Sequence, residues 1–528
     1  VTPTDEGGRV LRARRWAARH HSAVWWITLV NLTFGLVFTI LVPPFRGPDE
    51  RYQVDMVLRS DLGYVDPSER VVPTDEIRGV GSLAGPSVDP DLRYRPPMPF
   101  ADAVPRPDRP TFGELAQEVV VRTDEVPRAT NQLSQHPPLH YAAVGASARV
   151  VTLLTPAEAW SWDREVWLYR MHSVALVAAL PLLASSAALV LGVGRTAAAS
   201  AAAVMLLSPM HTFIGSVVNN DTTMMLGSAI AVVGALAHLR DGTARSAVVA
   251  AAGGAIAALS KSTGVTLIPW VGVVVAVVAL RAWRQGRRRE AVRNVVLAGS
   301  VSVIGAAWHI TNLVRFGDPQ PSGVVRRVFP DVEKPLWRFA ENWFDRVSGT
   351  FWGRPATRTG VMLDPWITNG LTVVMALVVL AALWKGRRRA GVLLLTLLCV
   401  AQVALMLRTN LAQYLRSGEL AALQGRYLYS LLVPLAALAA VAVWGWVGER
   451  WHAWVLAALA GVGVVFHVVL SWSMLVGYWG GDSVGARLDS LLAWSPLPHL
   501  GSLLLLSTPL LAVAGWGASL AVPRWRRR

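Results

Sequence analysis

Val42-Pro43-Pro44-Phe45-Arg46-Gly47-Pro48-Asp49-Glu50-Arg51-Tyr52 follows directly on an apolar run, Ala23 to Val42. A run of that length spans a bilayer as an α-helix, and Pro43-Pro44 stops it. The next comparable run starts at Val166, and residues 43–165 between them hold 19 of the chain's 34 carboxylates. This stretch decides the architecture. A membrane helix delivers the chain to a bilayer surface, where a long acid-rich loop opens with two adjacent carboxylates at the membrane edge. The basic flank and apolar run are also those of a signal peptide. The run is long enough to span, however, and lacks an A-x-A-like end, so it reads as a retained first helix.

Composition agrees. Of the 528 residues, 53% are hydrophobic and 16% charged, with a mean hydropathy of +0.41. That profile belongs to an integral membrane protein rather than a soluble multidomain chain. The formal charge of +16 raises the question of nucleic acid. The positive residues, however, cluster at Arg9 to Arg19, Arg281 to Arg293, Lys385 to Arg389 and Arg524 to Arg528, each beside an apolar run. Short basic segments beside spans follow the positive-inside rule, and no basic, aromatic face for nucleic acid is present. The single cysteine, Cys399, lies inside an apolar run, so no disulfide is available to the long loops. Arg outnumbers Lys 47 to 3, a bias that points to a GC-rich bacterial genome.

These patterns predict an all-α polytopic membrane protein with about 12 transmembrane helices and both termini cytoplasmic. A cytoplasmic basic tail (1–22) leads into the first transmembrane helix (23–42) and the large extracytoplasmic loop (43–165). Transmembrane helices 2–7 fill 166–312, at about 166–191, 197–216, 222–239, 246–260, 264–282 and 294–312. An aromatic-rich extracytoplasmic loop (313–365) carries Trp337, Phe339, Trp343, Phe344, Phe351 and Trp352, read as an interfacial belt or a sugar-stacking wall. Helices 8–12 occupy 366–522 and a basic tail ends the chain (523–528). The middle of the first loop, 67–128, is dense in Pro, Asp and Arg and is expected to be partly unstructured. Leu139 to Leu154 is mildly apolar but broken by Arg149, which predicts an interfacial helix. Counting it as a span would invert every basic loop downstream. No repeat is visible, and Gly253-Gly254 with the Ala-rich runs permits close helix packing.

On this topology several polar motifs face one side. They are Asp49-Glu50, His136-Pro137-Pro138, Asn219-Asn220-Asp221, Lys261-Ser262-Thr263 and Gln424-Gly425-Arg426-Tyr427. Each also has a local structural explanation. Asp49 and Asp221 suit helix N-caps, His136 a rigid turn, and Lys261, Arg426 and Arg170 snorkelling cations. Their convergence on one membrane face favours an interfacial site for an anionic, lipid-linked group.

The set resembles the GT-C superfamily of polytopic glycosyltransferases, and within it a bacterial branch with a Pro-Asp-Glu first loop. The matching elements are Pro48-Asp49-Glu50, His136-Pro137-Pro138-Leu139, Asn220-Asp221, Lys261-Ser262-Thr263-Gly264 and Gln424-Gly425-Arg426-Tyr427-Leu428-Tyr429, in order over about 43–435. The resemblance implies a GT-C-like fold and a glycosyltransferase of the cell membrane. A sugar would move from a polyprenyl-phosphate donor to a cell-envelope glycan, lipid or protein acceptor. It implies catalysis by Asp49 or Glu50 and lipid-phosphate binding by Lys261, Arg426 and Tyr427. His136, Asp221 and Asn220 would position the acceptor or a divalent cation. No cofactor is certain and metal use is left open. Asp49 and Glu50, being adjacent, point different ways on a helix, which favours single-displacement inversion over two-carboxylate retention. A flippase for lipid-linked sugars and a non-catalytic assembly protein of the cell envelope are the alternatives.

Overall fold

Chain segments in lipid must satisfy their own backbone hydrogen bonds, and the apolar runs do so as helices. The computed structural model describes residues 18–60, 73–77, 109–120, 131–156, 160–321, 333–355, 362–386 and 388–521. All regular structure among them is helical. Residues 1–17 of the N-terminal tail, the C-terminal tail, and most of the 67–128 segment expected to be partly unstructured lie outside the described residues.

α1 (Ser22–Leu41) ends as Val42 turns extended ahead of Pro43. The first loop contributes α2 (Glu50–Arg59), α3 (Phe112–Val120) and α4 (Leu139–Thr152). α4 is about 21 Å long at 1.5 Å per residue, too short to cross a hydrocarbon core of about 30 Å. Its last turn exposes Val150, Leu153 and Leu154 as one apolar ridge. α5 (Trp162–Ala178) and α6 (Leu180–Val190) run on as a single apolar unit of 29 residues.

The third expected span is not one straight helix. α7 (Arg195–Leu206) and α8 (Pro209–Gly215) meet at 67°. Pro209 lacks a donor and pushes Ser208 out of helical geometry. α9 (Asp221–Asp241), α10 (Ala244–Ser260), α11 (Leu267–Arg284) and α12 (Arg288–Phe316) complete the first half. α13 (Leu336–Trp352) lies in the second loop, followed by α14 (Pro365–Lys385), α15 (Arg389–Ser417), α16 (Leu432–Trp446) and α17 (His452–Tyr478). α18 (Val484–Trp494), in a stretch where no helix was expected, precedes α19 (His499–Ala521).

Among the described residues ten helical units are long and apolar enough to cross a membrane, eleven with the bent α7–α8 pair. α10 fills the expected fifth span, but its 17 residues are fewer than those of any of the ten units, the shortest of which has 20. The expected total of about twelve is reached only by counting both irregular segments.

Packing sorts the helices into centre and perimeter. Every residue of α7 from Ala197 to Leu206 is buried, because small side chains let α1, α6, α16 and α17 close around it. α9 and α10 pack most extensively. A Cβ on Gly253 would fall 2.2 Å from the Ala231 nitrogen, so the two backbones touch. At the perimeter, α14 exposes Val373, Val374, Leu377, Leu380 and Trp384 along one face. An apolar perimeter of this extent calls for lipid. This is a multi-pass membrane protein.

Candidate active site

Arg170, on α5, organises the start of the site. Its Nε and Nη2 donate to the two Glu50 carboxylate oxygens, both at 2.7 Å. Nη1 donates to the carbonyls of Thr39 and Val42, and Nη2 also to that of Pro43. All five guanidinium donors are used. Glu50 in turn accepts from the backbone nitrogens of Val218 (3.0 Å) and Gly47 (3.4 Å). Arg170 is 2% exposed and Glu50 0%. Arg170 is therefore no snorkelling residue. It clamps the end of α1, the Gly47–Glu50 turn and, through Glu50, the Val218 backbone ahead of α9 into one block.

With Glu50 turned inward, Asp49 faces the other way. It stands at the N-cap position of α2 but caps nothing, because its backbone is left-handed (φ 58°) and its side chain makes no capping bond. Its Oδ2 instead accepts from Arg426 Nη2 at 2.5 Å, and Oδ1 from Gln132 Nε2 at 3.3 Å. Asp221 does not cap α9 either; its Oδ1 pairs with Lys261 Nζ at 2.5 Å. Arg426 Nη1 lies 3.8 Å from Asp221 Oδ2 and so links the two pairs. Lys261 and Arg426 are both 4% exposed, which overturns the snorkelling reading for each. Both cations sit over the Tyr427 ring, at 4.8 and 5.5 Å. Within the quartet the Asp49 side chain is the most open, at 28%. Asp221 Oδ2 and Arg426 Nε are buried with no hydrogen bond.

The surrounding residues hold this arrangement. His136 Nδ1 lies 3.3 Å from Ser262 Oγ. Burial, with the charge of Lys261, pushes its imidazole down to about 3, so it is neutral at pH 7. Asn220 accepts from Gln53 and donates to the Tyr141 hydroxyl. Burial opposes ionisation of Asp49, but the Arg426 charge and hydrogen bond, with the charge of Lys261, hold its carboxyl below the usual range. Among the described residues no group of three or more His, Cys, Asp or Glu is arranged to hold a metal ion.

Arg426 is aimed by α13, in the second loop. Gly425 N donates to Thr350 Oγ1 at 2.6 Å, and the Tyr429 hydroxyl donates to the Phe351 carbonyl at 3.1 Å. Phe351 and Trp352 are buried here, whereas Trp337 is 70% exposed. The aromatic set is thus divided between packing and surface. A Cβ on Gly425 would fall 2.1 Å from the Val347 carbonyl oxygen and 2.5 Å from the Phe351 nitrogen. Backbone atoms cannot step aside, so Gly425→Ala is expected to cost about 1–3 kcal/mol and to shift Arg426. It should lower the thermal unfolding midpoint in detergent. Gly461→Ala, with nothing within 4 Å of the added carbon, should not.

Backbone strain marks the same place. The non-glycine residues with positive φ among the described residues are Phe45, Asp49 and Ala422. All lie within four residues of Asp49 or Arg426. Each costs about 1–3 kcal/mol, a cost that persists where function selects the geometry.

A family model described as "Predicted membrane protein (DUF2142)" matches residues 32–436, more than half of the chain and every site residue named above. The chain belongs to this family. No curated protein matches it in sequence. Among solved structures, this DUF2142 protein is similar to ArnT from Cupriavidus metallidurans bound to undecaprenyl phosphate. That likeness has 15% identity and a TM-score of 0.41, covering 95% of this chain and 80% of that one. The apo form of ArnT gives 14% and 0.38, covering 86% and 76%. At these values neither likeness carries an argument about the chemistry of this DUF2142 protein.

The structure brings Asp49, Asp221, Lys261, Arg426 and Tyr427 together, with His136 and Asn220 beside them. Glu50 it turns away. Sequence reasoning missed the clamping role of Arg170 and the contact of Gln132 with Asp49. An arginine four residues into the apolar run that begins at Val166 was the available signal for the first. The second had none, since Gln132 lies 83 residues from its partner.

Proposed function

We propose that this protein transfers a sugar from a polyprenyl-phosphate donor to a cell-envelope acceptor at the outer face of the cytoplasmic membrane. The observation that carries the reading is Asp49, which occupies a cap position without capping and presents its carboxylate to Arg426 at the most open point of the quartet. A purely structural aspartate would have used its cap. The proposed topology is that of the sequence, with both termini cytoplasmic, 43–165 and 313–365 outside, and 166–312 and 366–522 in the membrane.

In the resting site the two acids and two bases neutralise one another. The donor's phosphate competes with Asp49 for Arg426 and with Asp221 for Lys261, while Tyr427 supports both cations. Released from Arg426, Asp49 becomes more basic. It takes the proton of the acceptor hydroxyl as that oxygen bonds to the anomeric carbon. The bond from that carbon to the phosphate oxygen breaks with its electron pair on the lipid phosphate, whose charge Lys261 and Arg426 stabilise. Glu50, held by Arg170, positions Asp49 rather than reacting, and a single displacement inverts the anomeric centre. Neutral His136 and Asn220 orient the acceptor.

The test uses purified protein in nanodiscs with polyprenyl-phosphate sugars and cell-envelope material, and measures released polyprenyl phosphate. Donors that bind without turnover would replace this reading with the flippase or assembly protein. The pH profile gives a further check. Because Asp49 titrates below the ordinary value of about 3.9, it stays ionised as pH falls towards 4. The acid limb of kcat/KM should therefore lie below about pH 4. A limb near pH 6 would assign the base to another group.

A further inference from the structure

Two short helical turns carry the cations of the quartet. Lys261 immediately precedes the turn Ser262–Thr266, and Arg426 is the second residue of the turn Gly425–Leu431. The two turns are far apart in sequence, and lipid supplies no hydrophobic force to hold them at a set distance. Their spacing has to come from packing and from bonds between polar groups.

Asp221 gives one link, pairing with Lys261 at 2.5 Å and lying 3.8 Å from Arg426. A second link comes from α15. Gln402 Nε2 donates to Thr266 Oγ1 at 2.9 Å, and Gln402 Oε1 accepts from Ser430 Oγ. One planar amide thus joins the last residue of the Lys261 turn to a residue four positions after Arg426 in the other turn. Thr266 Oγ1 donates its own proton to the Thr263 carbonyl at 2.9 Å, which leaves the hydroxyl as an acceptor for Gln402. Gln402 is 7% exposed, whereas Leu397, Val400 and Leu405 of the same helix are exposed.

The ordinary role of a buried amide in a membrane bundle is to hold helices together. Gln402 differs in where its bonds end, since both reach the turns that carry Lys261 and Arg426. An incoming phosphate has to break the Asp221 link, because it takes the place of the carboxylate. The Gln402 bonds involve no group that a phosphate displaces. They keep the two cations at one spacing while carboxylate is exchanged for ligand, so the site is ordered before it binds.

Resting on the reading of these cations as a lipid-phosphate site, we propose that Gln402 is the positioning residue that sets the spacing of Lys261 and Arg426 for the phosphate. It acts through Thr266 and Ser430 rather than by touching the ligand.

The test measures binding of farnesyl phosphate to the purified full chain in neutral detergent by titration calorimetry, with farnesol as the control for partition into the micelle. Gln402→Met nearly keeps the volume and removes both bonds. It should weaken farnesyl phosphate binding about fivefold or more and leave the thermal unfolding midpoint near that of wild type. Thr266→Val and Ser430→Ala, each cutting one bond, should weaken binding by less. Thr266→Ser, which keeps the hydroxyl, should bind as wild type does. Ser430→Ala added to Gln402→Met should cost nothing more, because the bond is already gone. Trp270→Phe removes another link between α11 and α15, the bond from Trp270 Nε1 to the Leu394 carbonyl at 2.9 Å, and should leave affinity unchanged. Equal affinity in wild type and Gln402→Met overturns the proposal and leaves the phosphate site standing. An equal loss in Trp270→Phe also overturns it, by making the effect one of helix packing. So does a collapse in the melting temperature of Gln402→Met while Ser430→Ala binds normally. Wild type that binds farnesyl phosphate no better than farnesol removes the phosphate site itself, and the role of Gln402 with it.

Discussion

Asp49→Asn is expected to reduce polyprenyl phosphate release by about two to four orders of magnitude, the usual contribution of a positioned general base. The fold should survive. Asn keeps an oxygen that accepts from Arg426 Nη2, and Arg426 retains Asp221 Oδ2 at 3.8 Å as a counter-charge. The left-handed backbone at residue 49 suits Asn as well as Asp. Activity should therefore fall while the thermal unfolding midpoint stays near that of wild type. That split separates a catalytic carboxylate from a structural one. Undiminished turnover in the variant would remove Asp49 from the chemistry, and a large fall in melting temperature would return it to the scaffold. Neighbouring Glu50 differs from Asp49 in every respect that matters, since it is fully buried, bidentate to Arg170 and bonded to two backbone nitrogens.

Arg170→Met should have the opposite signature, a loss of folded protein rather than of one chemical step. The substitution strands Glu50 as a buried charge and leaves the carbonyls of Thr39, Val42 and Pro43 without these donors. Breaking one side of a buried ion pair costs about 3–5 kcal/mol, and unsatisfied buried acceptors add about 1–3 kcal/mol each. Fluorescence-detected size-exclusion chromatography of heated detergent extracts would report it as aggregation at lower temperature. Arg170→Met combined with Glu50→Leu should recover part of the loss, because the uncompensated charge is gone while the backbone groups remain unpaired. A well-folded but inactive Arg170→Met protein would contradict the clamp and make Glu50 part of the reaction.

The comparison of expectation with structure is instructive at single residues. Lys261 and Asp221 read individually as a snorkelling lysine and a helix cap, and both readings are reasonable for isolated helices. They fail because the Gly253 contact draws α9 and α10 together until their ends place Nζ 2.5 Å from a carboxylate oxygen. The bend at Ser208 was equally legible in principle, since Pro209 stands in the sequence. The apolar run hid it, because hydropathy averages over a break that costs no hydrophobicity.

By itself the sequence determined the membrane class, the positions of most of the long apolar helices and the segments that carry the candidate site. Those properties are local, set by the length of apolar runs and by proline and charge at their ends. It also determined that several charged motifs would meet at one end of the bundle, because successive spans return the chain to the same surface. Only the tertiary structure decided which charges pair. Arg426 reaches Asp49 across 377 residues, and Arg170 reaches Glu50 across 120. The choice between two adjacent carboxylates turned on the direction of one left-handed residue. Such choices depend on helix packing and side-chain geometry summed over the whole bundle, and no local pattern in the chain encodes them.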